Sequence, residues 1–151
     1  MKLYVNGSPK LENGNSNYFL NKIKDKEKIK CVYRDRFSDI LKDIKQVDTI
    51  ILCFPLYVDG PTCKIIEFME YILSNKIDIS NKKIYTIINC GFWEAKHNRT
   101  ASLIIENFAK QNIWALLILE LERLLVSVKS FGYINWFLYL FWLKLRSSKN
   151  V

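Results

Sequence analysis

Histidine is almost missing from this 151-residue chain: His97 stands alone. Cysteine is scarce as well, at Cys31, Cys53, Cys63 and Cys90, and no two of these stand at Cys-x-x-Cys spacing. A structural zinc site draws four ligands from such residues, so this supply argues against a metal. No apolar run reaches the ~20 residues that a membrane span needs; the longest, Phe131 to Leu143, falls short. No signal peptide is expected, because Met1 leads straight into a strand-like segment. Reduced thiols and a cytoplasmic location are the expectation. Neither G-x-G-x-x-G nor the P-loop pattern occurs, which counts against a dinucleotide-binding Rossmann site and against an NTPase. Internal repeats and low-complexity linkers are absent too.

What is present is globular. Half of the residues are hydrophobic and a quarter charged, which excludes a disordered or fibrous chain. The length suits one domain that buries roughly two thirds of its unfolded surface. The net charge of +8 invites a polyanionic partner. Lys, Ile and Asn are abundant and Arg is sparse, however, as AT-rich coding produces, and a Lys excess of that origin needs no partner. The basic residues crowd into Lys22 to Lys30, read as a solvated helix end, where Asp25 and Glu27 interrupt them. No aromatic residue alternates with them as a stacking platform, so nucleic acid is not an expected partner.

Strand and helix signals alternate along the chain. Lys2 to Asn6 reads as a short buried strand stopped by Gly7-Ser8-Pro9. A helix starts near Ser16, with Asn15 or Ser16 as its N-cap, and runs through Ile23. Ile29 to Tyr33 is a second strand candidate, and Phe37, Ile40, Leu41 and Ile44 have helical spacing. Asp48 to Phe54 is a continuous apolar strand closed by Pro55, and Pro61 starts a helix with Ile65, Ile66, Phe68, Met69 and Ile72 inward. Lys83 to Asn89 is a further strand, Thr100 to Gln111 a helix, and a fifth strand is expected near Ile113 to Leu119. Such alternation of uniformly apolar strands with helices predicts an α/β doubly wound parallel sheet. Ligands of these sheets bind beyond the carboxyl ends of the strands. That rule selects three loops: Gly7 to Asn17, Pro55 to Gly60, and Asn89 to Glu94.

The first loop joins a strand to a helix N-terminus, where free N–H groups and the helix dipole favour an anion. Ser8, Asn15, Ser16 and Asn17 are short donors suited to a phosphate, and Lys10 adds positive charge; an ordinary turn with an N-cap is the rival reading. The second loop, Pro55-Leu56-Tyr57-Val58-Asp59-Gly60, carries a flat aromatic face at Tyr57. The third, Asn89-Cys90-Gly91-Phe92-Trp93-Glu94, sets a glycine beside two aromatics. Together they suit a mononucleotide with a large flat ring.

These residues resemble the flavodoxin-like NAD(P)H-dependent FMN reductases and related flavodoxin-fold oxidoreductases. The likeness lies in Asn6-Gly-Ser-Pro-Lys10 with Gly14-Asn-Ser16, in Phe54 to Gly60 running into Lys64 to Glu70, and in Ile88-Asn-Cys-Gly-Phe92; it spans roughly the first three quarters of the chain. The resemblance implies a sheet of order 2-1-3-4-5 with FMN at the strand ends. It implies that Ser8, Lys10, Asn15, Ser16 and Asn17 hold the FMN phosphate, and that Pro55, Leu56, Tyr57 and Val58 with Asn89, Cys90 and Gly91 border the ring. The implied activity moves electrons from NAD(P)H through FMN to a small acceptor: a quinone, a nitro or azo compound, an iron centre or free flavin. The chemistry belongs mainly to the flavin, so no catalytic residue is assigned. Cys90 is expected to pack against ring or core rather than act as a nucleophile, and Glu94 and His97 to lie in a solvated loop. A flavodoxin-type electron carrier, for which +8 is the wrong sign, and an inactive family member are the alternatives. A homodimer is left open.

The chain divides in this reading at residue 113, with a flavodoxin-like domain over 1–113 and a divergent segment over 114–151. Members of the resembled family carry a glycine-rich stretch ending in Gly-Glu after the fifth strand, whereas no glycine occurs here between Gly91 and Gly132. Leu119-Glu-Leu-Glu-Arg123, written TTG GAA TTG GAG AGA after an A, reads one base earlier as Ile-Gly-Ile-Gly-Glu. A frameshift near Ile113 to Leu119 is the expectation that follows. The rival is a genuine tail, with a helix from Leu116 to Val128 and an amphipathic membrane anchor at Ile134 to Leu145.

Overall fold

The computed structural model describes residues 1–79, 81–91 and 95–110, and the backbone of 116–121. Five parallel strands, β1 (Lys2–Asn6), β2 (Ile29–Cys31), β3 (Thr49–Pro55), β4 (Lys83–Asn89) and β5 (Leu116–Leu121), form one sheet of order β2-β1-β3-β4-β5. Four helices connect them: α1 (Asn15–Ile23), α2 (Phe37–Gln46), α3 (Cys63–Ser74) and α4 (Arg99–Lys110). The expected doubly wound order is therefore present. The chain reverses direction across the sheet between β1 and β3, which makes the carboxyl ends of those strands the switch point where ligands of such sheets bind.

Side chains along each central strand alternate between two cores, as a pleated strand requires. Leu3, Val5, Ile50, Leu52, Phe54, Ile84 and Ile88 pack on one face with Ile40, Ile44, Ile65, Ile72 and Ile105 of α2, α3 and α4. Tyr4, Ile51, Cys53 and Ile87 pack on the other with Phe19, Leu20 and Ile23 of α1. Both faces are buried, which is why these strands read as unbroken apolar runs. Tyr4 keeps its hydroxyl satisfied inside the core by donating to the Ile23 carbonyl at 3.3 Å.

Three local details differ from the sequence reading. Neither Asn15 nor Ser16 caps α1; Gly14 is the N-cap residue and no side chain caps the helix. The stretch 24–28 is not a helix end either. Lys24 turns extended (φ −67°, ψ 145°), because beyond Ile23 the charged residues offer no apolar face to bury. The helix after Pro61 begins two residues later, at Cys63. The expected fifth strand runs over Leu116–Leu121, so a helix over Leu116 to Val128 fails for that stretch. The remainder of the tail, including the proposed anchor at Ile134 to Leu145, lies outside the described residues, as do Phe92, Trp93 and Glu94. Among the described residues no helix is long and apolar enough to cross a membrane.

Candidate functional site

The first loop is organised by a buried amide. Asn6, at the end of β1, accepts from the Ser8 N–H at 2.8 Å and donates to the Leu11 carbonyl at 3.1 Å. Ser8 is itself buried, and its Oγ accepts from the Lys10 N–H at 3.2 Å. Two glycines allow the chain to pass this closely. A Cβ on Gly7 would come within 2.6 Å of Ile65, and one on Gly14 within 2.9 Å of the Ser8 hydroxyl. The loop then delivers α1 with an open N-terminus. The first-turn N–H groups of Asn15, Ser16 and Asn17 donate to no acceptor among the described residues. Three uncommitted donors at the positive end of a helix dipole, beside the exposed Lys10, are a ready site for a phosphate.

Asn89, at the end of β4, ties this loop to the other two. Its Nδ2 donates to Ser16 Oγ at 2.8 Å and to the Phe54 carbonyl at 3.1 Å, and its own carbonyl accepts from the Leu56 N–H at 2.8 Å. Thr62 adds a second tie: its hydroxyl donates to the Gly7 carbonyl at 3.0 Å, joining the second loop to the first. The Cys53 thiol lies under this junction. Burial pushes it up to about 12, with Ser16 and Asn89 pulling weakly in the opposite direction, so it stays protonated at neutral pH.

The second loop is a tight two-residue hairpin. Tyr57 and Gly60 exchange backbone hydrogen bonds of 3.0 and 3.1 Å, and Val58 and Asp59 between them both have positive φ, 49° and 58°. Two positive φ values in succession define a type I′ turn, which normally selects Asn and Gly. A β-branched Val at such a position is strained, and Val58 is fully exposed besides. Strain and exposed apolar surface held together at a strand end are features of binding loops. Tyr57 beside it is 45% exposed. Asp59 Oδ1 lies 4.0 Å from His97 Nδ1, so the hairpin tip meets the turn that precedes α4.

The structure thus gathers Ser8, Lys10, Asn15, Ser16 and Asn17 at one strand end. It brings Pro55 and Leu56 against Asn89 and Cys90, with Tyr57, Val58 and Gly91 at the surface alongside. Inside the first loop these side chains also serve the protein: Ser8 Oγ and Ser16 Oγ accept from the Lys10 N–H and from Asn89 Nδ2, and Asn17 Nδ2 donates to the Glu12 carbonyl at 3.0 Å, while the backbone N–H groups of the first α1 turn stand open beside them. Cys90 is buried. Sequence reasoning gave no role to Asn6, Thr62 or Asn98. Asn6 had a signal in the Asn-x-Ser pattern of an Asx turn. Thr62 had none, because its partner is 55 residues away. Asn98, ahead of α4, is fully buried and neither side-chain amide atom has a hydrogen-bond partner among the described residues, a signal visible only in three dimensions.

No protein-family model and no curated protein matches the sequence. Solved structures do resemble the fold. An NADPH-quinone reductase from P. pentosaceus superposes with a TM-score of 0.72 over 94% of this chain and 95% of its own, at 18% identity. An FMN-dependent NADH-azoreductase from Bacillus anthracis, solved with FMN, gives 0.56 at 14% identity over 78% of this chain and 85% of its own. A short-chain flavodoxin associated with a bacterial microcompartment gives 0.60 at 13% identity, covering 92% and 95%. The fold is flavodoxin-like.

Proposed function

We propose that this chain binds FMN and acts as an NAD(P)H-dependent oxidoreductase that passes electrons to a small acceptor. The observation that carries the reading is the uncapped start of α1, whose three uncommitted N–H groups lie at the switch point of a flavodoxin-like sheet. Asn89 links that start to two loops bearing an exposed tyrosine and a glycine, so the residues present fit a phosphate at one end and a flat ring at the other. Bound FMN would supply the redox chemistry. The chain's own part is to hold and orient. The α1 N–H groups and Lys10 neutralise the phosphate, while the Ser16–Asn89–Phe54 chain keeps the phosphate cradle in register with the ring-facing loops. Tyr57 and Val58 offer apolar surface, and the protonated Cys53 keeps charge out of the floor. The small-molecule acceptor, and a second copy of the chain as partner, belong to the same proposal.

The fold-likeness to a flavodoxin favours a second reading, an electron carrier that exchanges electrons with proteins. One experiment separates the two. The purified chain is reconstituted with FMN, its flavin absorption recorded, and NADPH or NADH added anaerobically. Bleaching by the nucleotide alone supports the oxidoreductase; retained colour supports the carrier; a chain that takes up no FMN refutes both.

A further inference from the structure

A cavity of about 380 Å³ opens on the α1 side of the sheet, beside the short edge strand β2. It lies where α1, whose main contacts are with β1, β3 and β4, meets the edge strand β2, with Ile29 of β2 only partly buried against the α1 core. Three cationic side chains, Lys24, Lys28 and Arg34, line it against a single carboxylate, Glu12. The ammonium groups of Lys24 and Lys28 meet no carboxylate among the described residues, whereas Asp25 of the same connection is engaged by Lys2 at 3.1 Å. Arg34 is held in position: Asp35 grips its Nε and Nη2 at 3.0 and 3.2 Å, and Nη2 reaches the Ile29 carbonyl at 3.4 Å. Its Nη1 is turned to Glu12 Oε1 at 3.3 Å, a largely exposed carboxylate that is easily displaced.

We propose that this crevice, which adjoins the cradle at the start of α1 and shares Asn17 with it, is a second ligand site for a small molecule carrying a phosphate monoester. Arg34 is already paired with Asp35, so the unmatched charge is that of Lys24 and Lys28; a phosphomonoester meets it with a charge of about −2 and three acceptor oxygens. The volume exceeds what a bare phosphate fills and falls within the range of small-molecule sites, and Leu11 and Ile29 supply apolar wall for the organic part. Two sources share this chemistry: the extra phosphate of NADPH, or an unrelated phosphorylated metabolite. Neighbouring strands are about 4.8 Å apart, so the crevice lies some 10–15 Å from the ring-facing ends of β3 and β4, a distance that an extended dinucleotide spans.

The test is calorimetric titration of the full chain, with and without FMN, using adenosine 2′,5′-bisphosphate as probe and ADP as the control lacking a 2′-phosphate. The wild type should bind the probe and Lys24→Ala/Lys28→Ala should bind it about ten- to hundred-fold more weakly, as loss of charged contacts predicts. FMN affinity should not change. Glu12→Gln, which removes the competing carboxylate, should bind it roughly two- to five-fold more tightly. If NADPH is the source, NADPH displaces the probe, NADH does not, and the double variant raises KM for NADPH alone. If a separate metabolite is the source, neither nucleotide displaces it. Equal binding by wild type and double variant, displacement by FMN, or no binding at millimolar probe overturns the proposal. Probe binding by a chain that takes no FMN ends the flavin reading and leaves this site standing; FMN uptake without probe binding does the reverse.

Discussion

Replacing Asn89 with Ala tests the junction on which the site is built. The substitution removes two hydrogen bonds, to Ser16 Oγ at 2.8 Å and to the Phe54 carbonyl at 3.1 Å. Losing the donor of such a bond costs between its net worth, about 1 kcal/mol, and the roughly 2 kcal/mol of an acceptor left buried without a partner. Ser16 is only 1% exposed and Phe54 is fully buried, so water reaches neither acceptor easily. The expected loss is about 2–4 kcal/mol, a large fraction of the 5–15 kcal/mol that holds a typical domain. For a chain of this size it corresponds to a drop in Tm of roughly 5–15 °C. Urea denaturation of wild type, Asn89→Ala, Ser16→Ala and the double variant supplies the measurement. Ser16→Ala alone should cost less, because Asn89 keeps its bond to Phe54. The cycle should return a coupling of about 1 kcal/mol between the two side chains. FMN affinity should fall in Asn89→Ala, since the first turn of α1 loses its anchor to β4. A loss below about 0.5 kcal/mol with unchanged FMN binding would refute the reasoning: the junction would then be incidental and the three loops independently positioned.

Cys53 makes stability depend on alkaline pH. Its thiol rises from 9.0 to about 12 on folding, so its contribution is complete below pH 9 and is lost as pH climbs toward 12, at up to about 1.4 kcal/mol per pH unit. Cys53→Ala should lessen the fall of urea midpoints across that window, the buried Tyr4 hydroxyl, also pushed up by burial, accounting for what remains above pH 10. Val58→Gly should stabilise the chain by up to about 1 kcal/mol, left-handed strain being relieved against a more flexible unfolded chain; an unchanged or lowered Tm would show that the hairpin is unstrained. Tyr57→Ala should change Tm little, because the ring is half exposed, yet shift the absorption of bound FMN and weaken its binding. An equal loss of stability with and without FMN, together with an unaltered spectrum, would make Tyr57 a packing residue only.

The order of strands and helices was legible in the sequence because burial on both faces leaves an unmistakable mark. Strand runs such as Thr49–Pro55 and Lys83–Asn89 carry apolar residues at successive positions, and the helices between them show one apolar face. The three loops followed from that order together with the rule that such sheets bind ligands at their carboxyl ends. Composition and local pattern do not, however, state which atoms of a loop are free. Ser8, Ser16 and Asn17 are the residue types a phosphate loop uses, and on that ground they read as ligand donors. Folding also uses these side chains within the protein, with Lys10, Asn89 and Glu12, and leaves the N–H groups of α1 open beside them. The Ser16 part of that arrangement depends on Asn89, 73 residues beyond it, and the parallel register of β3 with β4 carries Asn89 there. The buried Asn98 amide, without a partner among the described residues, and the crevice beside β2 have the same origin. Each is set by where distant segments come to rest against one another, and local sequence pattern cannot register a contact between residues it never places side by side.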